Sequence, residues 1–216
     1  EAKALGIPMG AAFFEVRGLC AAFDVAVFSS NHSFFGEMSA RFQRLLYDFS
    51  PTVEHYSIDE AWLHLVGRDI AQQCREMYRR VRALSGVPVS VGVASTKTLA
   101  KAALFHAKNS PKARGVVDLS DGRFVDMALD RLPVGEVWGV GPAKSDFLQR
   151  YGITNALALR GADDRWIRQH LTVTGLRTIH EWRGTICYPL CTSKLLRKQV
   201  ACSRAFGAPV ETLADV

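Results

Sequence analysis

The chain reads as two parts, a region of α/β or α+β class reaching to about residue 120 and a small all-helical region after it. Three observations predict this. The stretch VPVSVGVA (87–94) alternates strictly, with Val87, Val89, Val91 and Val93 on one face and Pro88, Ser90, Gly92 and Ala94 on the other. Two strand-like runs, 53–58 and 61–66, flank the adjacent acids Asp59 and Glu60. From residue 121 to 186 the composition shifts to helical patterns joined by short Gly-containing turns.

Taken in order, residues 1–30 predict a short helix over 1–5, a turn at GIPMG, a second short helix and a strand near VAVFSS (25–30). Residues 34–49 place Met38, Phe42, Leu45, Leu46 and Phe49 at helical spacing, and Ser50-Pro51 ends that helix. A helix over about 69–84 carries Arg75, Arg79, Arg80 and Arg82. The second face of the 87–94 strand is small throughout, as where another group approaches the backbone closely. STKTLAKAALFHAKN gives a helix capped by Ser95 or Thr96, and GVVDL (115–119) one more strand. The tail holds a basic linker and a strand-like QVACSRAF.

The 216 residues are 48% hydrophobic and 22% charged, enough for real cores and unlike a disordered chain. No apolar run approaches the roughly 20 residues of a membrane-spanning helix. Five scattered cysteines, an odd number, predict reduced thiols and a cytoplasmic setting. The net charge of +6 favours a polyanionic partner, nucleic acid first, or describes an ordinary basic protein. The chain opens on Glu1 in the middle of a pattern, so a partial chain without a signal peptide is expected.

Four groups of residues can carry chemistry. Asp59 and Glu60 repel each other unless they are solvated in a turn or neutralised by divalent cations, and Mg²⁺ commonly takes one or two carboxylates together with substrate phosphates. Lys97, Lys101 and Lys108 fall within about 40° of one another on a helical wheel, opposite Leu99 and Ala103. They form either a phosphate grip or an ordinary solvated face. Val91 and Thr96 stand where a P-loop would need glycines before Lys97-Thr98, which excludes that motif. In VWGVGPAKSDFLQRYGI, Gly139 and Gly141 flank Val140 ahead of Pro142, and Lys144 occupies the position of a third dinucleotide-loop glycine. A helix-hairpin-helix fits better, with backbone N–H groups and Lys144 meeting a DNA phosphate; a plain Gly-rich turn is the bland alternative. Cys187, Cys191, Cys202 and His180 lack the spacing of a common zinc site.

YSIDEAWLHL, VSVGVASTKTLAKAALFHAK, GVVDL, LPVGEVWGVGPAKSDFLQRYGI and KQVACSRAFG occur in an order and at intervals that resemble the Y-family translesion DNA polymerases, most closely the bacterial UmuC branch (ImpB/MucB/SamB-like). The likeness runs from Glu1 to about Gly207. It implies an α+β fold: the end of a fingers subdomain (1–32), a catalytic palm with a mixed or antiparallel sheet (33–120), a helical thumb with a helix-hairpin-helix (121–186), and a linker with the start of a little-finger domain (187–216). It also implies error-prone translesion synthesis in the SOS response to DNA damage, by nucleotidyl transfer with two Mg²⁺ ions. Asp59 then ligates both metals and Glu60 the one nearest the primer 3′-hydroxyl. Lys3 and Lys108 bind the incoming triphosphate, Lys97 and Lys101 lie near substrate or primer phosphates, and Gly139, Gly141 and Lys144 hold the DNA backbone.

Primer–template DNA and dNTP are the implied partners, together with a UmuD-type dimer, a recombinase filament and a sliding clamp; a membrane is not. The family's other metal-binding aspartate and its ribonucleotide-excluding residue match no position here and are expected upstream of Glu1. Two other readings follow from the same residues. One is a non-catalytic DNA-binding remnant or regulator on this scaffold. The other is a helix-hairpin-helix nuclease or glycosylase, for which Asp146 is an acid without a partner.

Overall fold

A computed structural model describes residues 2–193 and 199–202. Helices α1 (Phe13–Ala22) and α2 (His32–Leu46) lead into the antiparallel hairpin β1 (Val53–His55) and β2 (Ala61–Leu63). Helix α3 (Ile70–Ser85), strand β3 (Val91–Val93), helix α4 (Lys97–Asn109) and strand β4 (Val116–Asp118) follow, with β3 and β4 paired in parallel. Four helices complete the described fold: α5 (Val125–Asp130), α6 (Pro142–Arg150), α7 (Ala156–Arg160) and α8 (Asp164–Trp182). The fold is α+β, and its strands form two separate two-stranded ladders.

Local chemistry sets most boundaries. Asn31, Asp69 and Thr96 cap α2, α3 and α4 by accepting from Phe34, Gln72 and Leu99 N–H groups. Gly86 ends α3 at φ 73°, a left-handed conformation that costs glycine little. Three expectations need correction. The 1–5 helix is a 3₁₀ turn over Ala2–Leu5. VAVFSS forms no strand, because no described segment pairs with it, and Val27 and Phe28 are exposed. The 87–94 strand shortens to Val91–Val93, since its ladder partner β4 is equally short. Most of QVACSRAF lies outside the described residues, and 199–202 carry no regular element.

Among the described residues two apolar cores form. Phe42 and Leu46 of α2, Val53 of β1, and Met77 and Val81 of α3 make the smaller. The larger joins Leu99, Ala102 and Ala103 of α4 and Leu119 to Leu129, Leu148, Leu159, Ile167 and Ile179 of the later helices. Packing therefore runs across residue 120, and α4 belongs as much to the helical region as to the strands. The small face of β3 explains the closeness of α4: a Cβ on Gly92 would lie 2.3 Å from the Ala100 carbonyl oxygen and 2.4 Å from the Leu104 nitrogen. The helix backbone is the group for which that face is kept small. Within α8 the helix kinks at Thr172, a non-glycine residue at φ 65°.

Candidate active site at the hairpin and helix α4

The hairpin presents two faces because successive strand residues point oppositely. Val53, Ala61 and Leu63 pack with the smaller core. Glu54 sits across from Trp62 in the ladder, and this face lies against α4. At the tip, the Tyr56 and Ser57 N–H groups both donate to the Glu60 carbonyl at 3.1 Å, closing a tight turn around residues 57–59. Asp59 is exposed there and accepts from the Ser57 hydroxyl at 2.8 Å. Glu60 faces inward and pairs with Lys101 at 2.5 Å.

Of the two readings of the α4 lysine face, an ordinary solvated face does not describe two of its three members, which are largely covered and paired with carboxylates. Lys97 pairs with Glu54 at 2.6 Å, with 11% and 14% of the two side chains exposed. Lys101 and Glu60 are 18% and 29% exposed. Both lysines lie on the side of α4 that the hairpin covers, and two carboxylates meet them there. Lys108, near the C-terminal end of α4, is exposed, and so is Lys3 in the first 3₁₀ turn.

Aromatic rings enclose these cations. The Lys101 ammonium lies 5.7 Å from the Tyr56 ring, 5.7 Å from Trp62 and 5.8 Å from Trp138, and the Lys97 ammonium lies 5.5 Å from Trp62. Tyr56, Trp62 and Trp138 contact one another edge-on or tilted, and Tyr188 adds a fourth ring against Trp138. Such positions attract cations through the ring quadrupole. The indole N–H of Trp62 is buried without an acceptor among the described residues.

Behind this box, Glu181 is fully buried and accepts three backbone N–H bonds, from Thr98 at 2.8 Å, Cys187 at 3.1 Å and Tyr188 at 2.9 Å. It satisfies one of the free donors at the N-terminus of α4 and secures the segment after α8. Glu54 does similar work, accepting from the Cys191 N–H through the oxygen that holds Lys97. Burial raises the Tyr188 hydroxyl above its ordinary pKa. Sequence reasoning missed Glu54, Tyr56, Trp62, Trp138 and Glu181. Strand alternation could have grouped Glu54 with Trp62; no local pattern points to Trp138 or Glu181.

Gly139, at φ 89°, and Gly141, the N-cap residue of α6, form the turn before Pro142. A Cβ on either would meet nothing within 4 Å, so the backbone is open on this side. The Lys144 ammonium folds back to the Gly139 carbonyl at 3.5 Å. The first limb of this hairpin is a single 3₁₀ turn, Val134–Glu136. Asp146 sits on α6, with no carboxylate or histidine joined to it among the described contacts. His180 pairs with Asp164 and takes no part in a cysteine site.

Carboxylate oxygens suit Mg²⁺, but Asp59 and Glu60 supply only part of a two-metal donor set. Among the described residues no three His, Cys, Asp or Glu side chains cluster as a metal site.

Residues 1–104 match the sequence profile of the impB/mucB/samB family. The whole chain is 39% identical to the MucB protein of Escherichia coli, spanning 52% of that protein. It is 38% identical to SamB of Salmonella typhimurium, over 98% of this chain and 51% of the relative. DNA polymerase IV of Moorella thermoacetica is 35% identical over 87% of this chain and 46% of its own length. The chain thus spans about half the length of the curated relatives it matches. Among solved structures, DinB from Sulfolobus solfataricus superposes with a TM-score of 0.72 at 20% identity, over 88% of this chain and 56% of that one. An insertion ternary complex of Dbh DNA polymerase gives 0.67 at 21%, over 84% and 54%. Over the aligned region the described fold is like that of these solved DNA polymerases.

Proposed function

We propose that this chain is part of an error-prone DNA-directed DNA polymerase that copies damaged templates. The observation that carries the reading is the Asp59-Glu60 pair at the tip of a hairpin packed on α4, in a chain 39% identical to MucB along its full length. Residues 1–32 serve as fingers, 33–120 as palm, 121–186 as thumb and the tail as the start of a DNA-gripping domain. Asp59 and Glu60 would each contribute a carboxylate to a pair of Mg²⁺ ions. Ions bound there would stabilise the attacking and leaving oxygens of an in-line displacement. Lys3 and Lys108 meet the incoming triphosphate in this reading, which their exposure supports. Lys97 and Lys101 reach phosphate only by leaving Glu54 and Glu60. The open backbone at Gly139 and Gly141, with Lys144, grips a DNA phosphate without reading sequence. A UmuD-type dimer, a recombinase filament and a sliding clamp are the proposed protein partners, in a cytoplasmic DNA-damage response.

Primer extension across an abasic site tests this, using the complete reading frame with Mg²⁺ and dNTP. Asp59→Ala or Glu60→Ala should lower extension by at least about 10³-fold while primer–template affinity stays within about twofold. Normal extension by either variant removes the metal assignment. The non-catalytic remnant is the second reading, favoured by the incomplete acid set among the described residues. It requires DNA binding without extension, even when an accessory partner is added.

A further inference from the structure

Glu60 does not wait as a bare carboxylate. Its oxygen lies 2.5 Å from the Lys101 ammonium, and that ammonium also sits within 6 Å of three ring centres. One cation is therefore offered two kinds of holder, a carboxylate and the rings of Tyr56, Trp62 and Trp138. The box is not local to the hairpin, because Trp138 comes from the turn that precedes α6. We infer that Lys101 is a resident counter-ion of Glu60, exchanged for a divalent cation when the site fills, and that the aromatic box retains the displaced ammonium.

The physical argument is one of competition. A partly buried carboxylate must be neutralised, and Lys101 does this while no metal is bound. Any cation that binds Glu60 must break that pair and then face the like charge of the ammonium close by. Removing the ammonium should thus tighten metal binding. The box works in the opposite sense: by giving the ammonium a second favourable place, it eases the exchange. Removing a ring should leave Lys101 more committed to Glu60 and weaken metal binding. Any ammonium beside the site opposes metal binding, so the ring variant carries the distinguishing readout: a lysine without a second holder would leave Mn²⁺ affinity unchanged in Trp138→Ala.

This inference rests on the assignment of Asp59 and Glu60 as metal ligands, and its test separates the two. Mn²⁺ alone, without DNA or nucleotide, is titrated calorimetrically into the complete protein, with tryptophan fluorescence followed in parallel. Lys101→Met should bind Mn²⁺ roughly fivefold more tightly. Lys101→Gln, an uncharged polar replacement, should shift affinity in the same direction and guards against misfolding of the methionine variant. Trp138→Ala should bind about two- to threefold more weakly, and Trp138→Phe, which keeps a ring, should stay near the parent. Circular dichroism checks that each variant is folded. If the parent binds Mn²⁺ and folded Lys101→Gln binds it no more tightly, the exchange is wrong while the metal assignment stands. If the parent shows no Mn²⁺ binding that Asp59→Asn removes, the metal assignment fails and the exchange fails with it.

Discussion

The two attachments of α4 are made by different physics. Toward β3 the contact is apolar and limited by volume: Gly92 lets the two backbones touch, and Leu99, Ala102 and Ala103 fill the adjoining core. At its N-terminal end the contact is polar and limited by geometry. Glu181 meets the Thr98 N–H there, Lys97 meets Glu54, and the Thr96 and Thr98 hydroxyls reach the Glu181 and Thr178 carbonyls. The comparison teaches that an apolar seam fails by gaining atoms, whereas a polar seam fails by losing one partner and stranding the other.

The strongest way to break the polar seam is Glu181→Ala, which strands three N–H groups. It should lower unfolding free energy by about 3–4 kcal/mol, with Glu181→Gln costing less because it keeps an acceptor. Urea denaturation with unchanged slope checks this; a loss below about 1 kcal/mol would show that water or relaxation replaces the carboxylate. The matching break in the apolar seam is Gly92→Ala. Its methyl group has backbone on the far side, so about 2–3 kcal/mol should be lost, and a neutral result would mean that α4 shifts freely off β3. A double-mutant cycle on Lys97→Met and Glu54→Gln sharpens the contrast. At this depth the coupling should be about 1–2 kcal/mol, above that of a surface pair.

The smallest effect concerns an exposed network beyond the seam. His180 and Arg183 hydrogen-bond Asp164 and hold its carboxyl below the ordinary carboxylate range. A depressed folded-state pKa contributes stability above the unfolded pKa and loses it as pH falls through the folded value. Asp164→Asn should therefore lower Tm slightly at neutral pH and converge with the parent in acid. Equal differences at both pH values would remove the linkage.

Much of this was legible without coordinates. Helix α2 declares itself by apolar spacing and α4 by a cap at Ser95 or Thr96, of which the structure uses Thr96; the Asn31 and Asp69 caps of α2 and α3 emerged only with the structure. The small face of β3 announced a close neighbour. SIDEA placed two acids at a turn, and the Gly139–Gly141 turn with Pro142 opened α6 as expected. These signals are local: they depend on period, caps and backbone freedom within a few residues.

What only the tertiary structure decided involves residues far apart in the chain. Lys97 and Lys101 look solvated on a helical wheel because the wheel carries no information about Glu54 and Glu60, some forty positions earlier. Glu181 looks like a surface acid at the end of α8 until Thr98, Cys187 and Tyr188 enclose it. Trp138 joins Trp62 across two chain segments that share no pattern. The sequence by itself determined the main helices, the cap of α4 and the acidic tip of the hairpin, since these rest on short-range sterics and hydrogen bonding. Which charges meet, and which side of α4 is covered, depended on long-range packing, where neutralising a half-buried carboxylate favours a lysine that the wheel would leave in water.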